Sequence, residues 1–430
     1  MSLSELDKSK LKNCLKSANN FIIVTTGRAG TDFLQSCYDN HPEVASTSEK
    51  SFSLSSFIKN KRELLPESSE VFSALVVEEL IYSFAPYLNQ LEDWRISKKD
   101  NFRKANVDIF LKSLNYLLNL EENYKNPLSI ARAIILSFSF SLKKEIKNVK
   151  SILIHLHQIN QLSFYSDFFE PEDLLIVCSR NPYDLIASGV FHRISYWSKS
   201  EIYSECINLS HYKFVMERTL NDYLDVKDNL RSSKIRVRIS FLEKLSNINY
   251  LNIINNKLLI KPFSKYPSST VLGLRRRGDL LSNDKRSNPA GTYDPLLVKR
   301  GSPLKRLGLI DSIIITLISR NRIIEYGLKP KIKYLNKLLE LNVFFRLSLF
   351  SLFLFLPTKI EIFYYKNVFK ILLKIILSKK KSFKNKLKAV TISAIHIFKY
   401  PIEYFKNRLF RVITFSKDNR KPKLLNELKN

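Results

Sequence analysis

Cysteine is scarce: the chain has four among 430 residues, at positions 14, 37, 178 and 206. No zinc-ligand spacing appears among them, so neither a disulfide framework nor a cysteine metal centre is expected to organise the fold. Cys37 and Cys178 fall in apolar patterns and read as small buried hydrophobes, which suits a reducing compartment. The N-terminal stretch Met-Ser-Leu-Ser-Glu-Leu-Asp-Lys lacks the apolar run of a signal peptide or anchor, so a cytoplasm-facing protein is expected. Long apolar runs are missing elsewhere too. The longest, residues 343–356, spans fourteen positions and contains Arg346, short of the roughly 18 to 20 needed to cross a bilayer. Acidic residues are few: 40 Asp and Glu face 70 Lys and Arg, a net charge of +30, which calls for an anionic ligand, partner or surface.

The most informative stretch is residues 21–34, Phe-Ile-Ile-Val-Thr-Thr-Gly-Arg-Ala-Gly-Thr-Asp-Phe-Leu. Four apolar β-formers, a tight Gly27-Arg28-Ala29-Gly30-Thr31 turn and a helical pattern predict strand, phosphate-sized loop and helix N-terminus. Such a junction gathers backbone N–H groups and the positive end of a helix dipole around one point. The glycines permit the sharp turn and close approach, while Arg28 and Thr31 add a charge and a hydroxyl. Walker spacing is absent, since two residues separate the glycines and no Gly-Lys-Ser/Thr follows, which disfavours an ordinary nucleotide triphosphatase.

Residues 173–186 repeat the theme: Asp-Leu-Leu-Ile-Val-Cys-Ser-Arg-Asn-Pro-Tyr-Asp-Leu-Ile. A buried strand ends at Arg180, and a helix is predicted with Asn181 as N-cap, Pro182 at its first position and Asp184 in its first turn. Ser188, eight residues after Arg180, lies about two turns in. Arg180 and Ser188 together can meet a second phosphate. Taken singly, a Gly-x-x-Gly turn occurs in many α/β proteins, and an Arg-Asn-Pro start can be simple capping. The two in this order, about 150 residues apart, say more.

These segments resemble the sulfotransferases that use 3′-phosphoadenosine 5′-phosphosulfate (PAPS), of the bacterial, carbohydrate and tyrosylprotein type. The carriers are strand-Arg-x-Gly-Thr-x-Phe-Leu near the N-terminus, strand-Arg-Asn-Pro-x-Asp with Ser eight residues after the Arg, and Asp39-Asn40-His41-Pro42-Glu43-Val44. The resemblance implies that Arg28, Ala29, Gly30, Thr31 and Asp32 hold the 5′-phosphosulfate, and that Arg180 and Ser188 hold the 3′-phosphate. Asp32 departs from the family's Thr or Ser, so only its backbone N–H is expected to serve. The resemblance covers residues 20–50 and 150–195, loosens over 235–328 and is absent beyond.

Sulfonyl transfer to an alcohol requires in-line attack, a base and positive charge near the leaving phosphate oxygen. Arg28 suits the last role. For the base, Glu49 stands about twenty residues beyond it, where some branches carry a Glu, and Ile-Leu-Ile-His-Leu-His at 152–157 offers His155 and His157 on one strand face. Glu49 is taken as the base and His155, whose following Leu matches the family, as a second catalytic or donor-contacting group; the three remain alternatives. Each has an ordinary reading as well, the histidines as satisfied polar groups at a strand end and Glu49 as a solvated loop residue. No metal is expected.

The expected fold is α/β: a three-layer, doubly wound parallel sheet with a P-loop-like phosphate-binding loop, plus a helical C-terminal appendage. Residues 1–328 are expected to form the sulfotransferase domain, with a helical insertion over about 63–150 that either builds an acceptor pocket or simply packs. Residues 235–243, alternating apolar and polar, predict a later strand. Residues 307–328 predict a terminal helix.

Residues 329–430 are expected to form a basic, aromatic-rich helical tail. Residues 331–430 hold 23 Lys and Arg against 5 Asp and Glu, +18 of the total +30. Basic amphipathic helices with aromatic faces lie in the plane of anionic membranes. The tail is therefore expected either to sit on the inner membrane face, near a glycan or lipid-linked hydroxyl acceptor, or to pack on the main domain. Two rival classes remain: a nucleic-acid or anionic-surface binder on a degenerate scaffold, made improbable by the lack of any binding-module signature, and a kinase, which would require Mg²⁺.

Overall fold

In the computed structural model the described residues are 3–24, 29–47, 54–65, 67–80, 105–120, 126–157, 159–186, 229–230, 234–268, 270–271, 274–275, 307–325, 336–354 and short pieces of the remainder. A six-stranded sheet forms the middle layer. Its strands are β1 (Asn19–Val24), β2 (Val44–Ala45), β3 (Ser151–Leu156), β4 (Leu174–Ser179), β5 (Arg236–Phe241) and, from far along the chain, a two-residue strand described below. The spatial order is β2-β3-β1-β4-β5 with that last strand outside β5, and every pairing within this sheet is parallel.

Parallel sheets are covered on both faces, and the strand sequences comply. In β1, Ile22 and Val24 face one layer while Phe21 and Ile23 face the other; in β4, Leu175 and Val177 oppose Leu174, Ile176 and Cys178. The first face is covered by α1 (Glu5–Ser17) and then by α3 (Leu54–Lys61), α4 (Ser69–Glu79), α5 (Val107–Leu118) and α6 (Pro127–Ser141). The opposite face takes α2 (Thr31–Tyr38) and α7 (Ile248–Lys257). The three-layer α/β expectation is met.

The insertion's described helices pack into the core. Phe72 and Val76 of α4, Phe110, Leu114 and Leu117 of α5, and most of α6 are fully or nearly fully buried. Side-chain caps set their starts: Ser68 accepts from Val71 N–H, Asn106 from Ile109 N–H, and Asn126 from Leu128 and Ser129 N–H ahead of Pro127. Each removes an unpaired helix-end donor.

The Asp-x-His-Pro-x-Val stretch is a structural clamp between the end of α2 and the segment after α7. Asp39 accepts the Thr270 hydroxyl at 2.8 Å, and Glu43 accepts the Lys261 N–H at 2.6 Å and pairs with the Lys150 ammonium at 3.0 Å. His41 donates from Nε2 to the Lys261 carbonyl at 3.0 Å, and its Nδ1 accepts the Glu43 N–H at 3.2 Å. This arrangement requires the neutral ring. Burial, more than anything else, pushes the His41 pKa below its ordinary 6.5. The unfolded chain therefore holds the proton more tightly, and stability falls as pH drops below that value. Urea unfolding of wild type and His41→Gln from about pH 7 to about pH 5.5 checks this; the wild type should lose stability more steeply than the variant.

After α7, Thr270–Val271 (β6) and Leu274–Arg275 (β7) form an antiparallel pair, and much later in the chain Asn426–Glu427 (β8) is the sixth strand of the main sheet. The expected terminal helix is divided at Ser319 into α8 (Leu309–Ile318) and α9 (Arg320–Glu325). Two further helices follow, α10 (Asn336–Glu340) and α11 (Val343–Leu354). A third apolar cluster joins α8 to α11, with Phe350 stacked on Phe415 at 4.4 Å between ring centroids and Arg346 buried over the same ring.

Candidate active site

Parallel sheets bind ligands beyond the carboxyl ends of their strands, at the point where successive connections depart in opposite directions. Here that point is β1. The chain leaves β1 over the α2 face towards β2, while the connection from β3 to β4 contributes Ile159, Leu162, Tyr165 and Phe169 to the opposite face. The register sets Val24 beside Leu156 and Val177. The carboxyl ends of β1, β3 and β4 therefore lie side by side, with His157 just beyond β3.

Of the first loop, Arg28 lies outside the described residues, as do Glu49 and Ser188; Ala29, Gly30, Thr31 and Asp32 are described. Gly30 is the N-cap of α2 with φ +86° and has no side chain to cap this helix start. A glycine cap offers no oxygen to the first-turn N–H groups, so the helix end suits an external anion. A Cβ added to Gly30 would clash with Leu242 Cδ1. Gly30 is thus seated against the turn after β5. We expect Gly30→Ala to cost about 1–3 kcal/mol, from left-handed strain as well as the clash. Denaturant melts of Gly30→Ala and Gly30→Ala/Leu242→Ala separate the two: the double variant should recover only part, because the backbone strain remains.

Arg180 follows β4 and is buried. Its Nε lies 3.7 Å from Glu243 Oε1, with no hydrogen-bond partner among the described residues. Asn181 caps the next helix as expected, its Oδ1 accepting the Tyr183 N–H at 3.1 Å. Its own N–H donates to Glu243 Oε1 at 3.4 Å. Glu243 belongs to the 3-10 turn Leu242–Lys244 that also seats Gly30, so this one turn ties the first loop to Arg180. Burial raises the Glu243 pKa, against the opposing pull of Arg180.

His155 and His157 meet at the end of β3 with ring centroids 4.9 Å apart, on the strand face their alternation implies. His155 is fully covered; its Nδ1 lies 2.7 Å from Gln35 Oε1 and its Nε2 lies 3.7 Å from Asp32 Oδ1. The Asp32 side chain thus faces the histidine pair. Its negative charge also adds to burial in pushing the Cys178 thiol up, which leaves that cysteine inert. Gln35 went unnoticed in the sequence, although Asp32 and Gln35 are three apart on α2 and must share a helix face.

No protein-family model matches the chain, and no curated protein matches it. Among solved structures, the sulfotransferase domain from the curacin biosynthetic pathway aligns over 66% of this chain and 87% of its own length, at 12% identity and a TM-score of 0.31. Similarity at that level assigns no family.

Proposed function

We propose that the protein is a PAPS-dependent sulfotransferase that moves a sulfonyl group to a hydroxyl of a glycan, glycolipid or related acceptor by in-line displacement. The observation that carries the reading is the pairing of a glycine-started helix with a buried arginine at adjoining strand ends, both on the turn Leu242–Lys244. Two features fit a doubly phosphorylated nucleotide. Gly30 brings no side-chain oxygen of its own to the first-turn N–H groups of α2, and among the described residues the Arg180 Nε is buried without a hydrogen bond.

The donor supplies an activated sulfonyl group on a phosphate leaving group. The backbone of residues 29–32 and the Arg28 guanidinium hold the 5′ end and offset charge on the leaving oxygen. Arg180 and Ser188 hold the 3′-phosphate. Glu49 takes the acceptor proton. His155 assists through Nε2, with its ring fixed by Gln35. Loop and arginines neutralise the donor, so this step needs no metal.

The tail has an assigned role too: docking on the anionic inner face of a membrane, beside a lipid-linked or membrane-proximal acceptor. Phe344, Phe345 and Leu352 of α11 are exposed at 73%, 57% and 67%, in a region, 331–430, that carries 23 Lys and Arg against 5 Asp and Glu. No helix among the described residues is long and apolar enough to cross a membrane. Interfacial binding uses such side chains with basic residues. Liposome flotation checks it: the chain should rise with anionic vesicles and stay behind with neutral ones.

The enzymatic test incubates the chain with PAPS, EDTA and pooled glycan or glycolipid acceptors and follows adenosine 3′,5′-bisphosphate. Acceptor-dependent release, retained in EDTA and lost in Arg180→Ala, is expected. Mg²⁺-dependent nucleotide turnover would point to a kinase. Steep salt-dependent oligonucleotide binding without bisphosphate binding would point to a nucleic-acid binder.

A further inference from the structure

We infer that Asp32, His155 and His157 form a binding site for a divalent transition metal of the zinc type, with a fourth position open to water or an anionic ligand. The inference goes beyond the proposed transfer reaction and stands on three side chains from two separate elements.

Distances come first. His155 Nε2 lies 3.2 Å from His157 Nδ1 and 3.7 Å from Asp32 Oδ1, and one donor atom from each residue falls within a 4.8 Å group. Tetrahedral zinc, with bonds of about 2.0–2.2 Å to nitrogen and oxygen, separates its ligands by about 3.3–3.5 Å. The observed separations bracket that edge, so sub-ångström shifts seat an ion. Imidazole and carboxylate donors favour zinc and its neighbours over magnesium or calcium, which prefer all-oxygen sets.

The second argument is the tautomer. Gln35 Nε2 donates to the Thr47 carbonyl at 3.0 Å, so its Oε1 must be the atom facing His155. That oxygen can only accept, and His155 Nδ1 therefore carries the hydrogen. In the neutral ring Nε2 then presents a lone pair towards His157 Nδ1 and the Asp32 carboxylate. A metal-binding imidazole is oriented in this way, by donating its other N–H to a fixed oxygen.

The third argument is charge. Asp32 places a carboxylate in the first turn of a helix whose N-terminus is built for anions, and turns it towards His155. With His155 Nε2 as acceptor, the 3.2 Å contact to His157 Nδ1 is a hydrogen bond whose proton sits where an ion would. A metal ion replaces that proton, coordinates all three groups and leaves one coordination position open. An ion seated there also occupies the His155 Nε2 lone pair, so the loaded and free forms of the site differ in their capacity to accept a proton.

The test uses the full chain, stripped by chelator dialysis, with neither donor nor acceptor present; its outcome is thus separable from that of the sulfotransferase reading. Zinc is titrated calorimetrically and cobalt(II) by its visible absorption. One equivalent per chain with a tetrahedral cobalt spectrum is expected. Asp32→Asn and His157→Ala, both partly exposed positions, should each weaken binding at least tenfold while keeping the wild-type circular dichroism. Gln35→Leu should weaken it about 10- to 100-fold. A folded wild type that takes up no zinc, or zinc uptake unchanged in both Asp32→Asn and His157→Ala, would overturn the assignment.

Discussion

Arg180→Ala is expected to weaken adenosine 3′,5′-bisphosphate binding by roughly a hundredfold, because truncating one partner of a buried charge pair costs about 2–5 kcal/mol. The guanidinium is desolvated at the end of β4, and Glu243 is its only ion-pair partner among the described residues. That pairing is loose, at 3.7 Å and with no hydrogen bond from Nε. The carboxylate therefore holds Arg180 in place without saturating it. Removing Arg180 also leaves Glu243 without its cation, so the single variant mixes lost ligand contact with a disturbed turn. Arg180→Ala/Glu243→Gln corrects for this. If Arg180 acts on the ligand, the double variant binds no better than the single; if Arg180 serves mainly to neutralise Glu243, binding returns. Glu243→Gln alone should bind about two- to fivefold tighter, since an exposed-edge competitor of this kind is worth about 0.2–1 kcal/mol.

Asp173→Ala should produce the largest loss of stability, about 3–5 kcal/mol, out of a total that for a single domain is about 5–15 kcal/mol. This carboxylate is 2% exposed at the start of β4. It accepts the Asn20 N–H at 2.7 Å, the Asn20 side-chain amide at 2.8 Å and the Glu170 N–H at 2.9 Å. Arg132 of α6 extends the network, donating to the Asn20 side chain at 3.3 Å and to the Leu15 and Ala18 carbonyls. One anion thus ties α1, β1, α6 and β4 together at the amino ends of the strands, opposite the candidate site. Its removal orphans three donors, the two of Asn20 buried and that of Glu170 partly so, and leaves Arg132 without a balancing charge. Urea denaturation should show a large drop in midpoint. A loss below about 1 kcal/mol would mean that water replaces the carboxylate and that the network is dispensable.

The sequence carried the β1–α2 and β4–Arg180 units because both signals are local. A strand buried on both faces is a continuous apolar run, and a cap or left-handed glycine leaves its mark within a few residues. The strand of 235–243 was legible for the same reason. Two-residue strands were not. β2 is Val44–Ala45 and β8 is the polar pair Asn426–Glu427; each joins an edge through backbone groups that any side chain permits. The clamp at His41 was noticed as a motif, but its purpose lay in contacts with Lys261 and Thr270, more than 200 residues away. At the site, the strand face shared by His155 and His157 followed from alternation. The turn of Asp32 towards them, and the part of Gln35 in fixing the ring, follow from the packing of α2 across β3, which no local pattern encodes.

The account rests on a nucleotide site with two phosphate contacts, and the most direct measurement is calorimetric titration of the chain with adenosine 3′,5′-bisphosphate in EDTA, beside adenosine 5′-monophosphate. One site per chain, metal-independent and preferring the bisphosphate by tenfold or more, is the predicted result, with affinity reduced in Arg28→Ala and the preference for the 3′-phosphate lost in Arg180→Ala. A folded wild type that binds neither nucleotide, or that binds both equally, would contradict it.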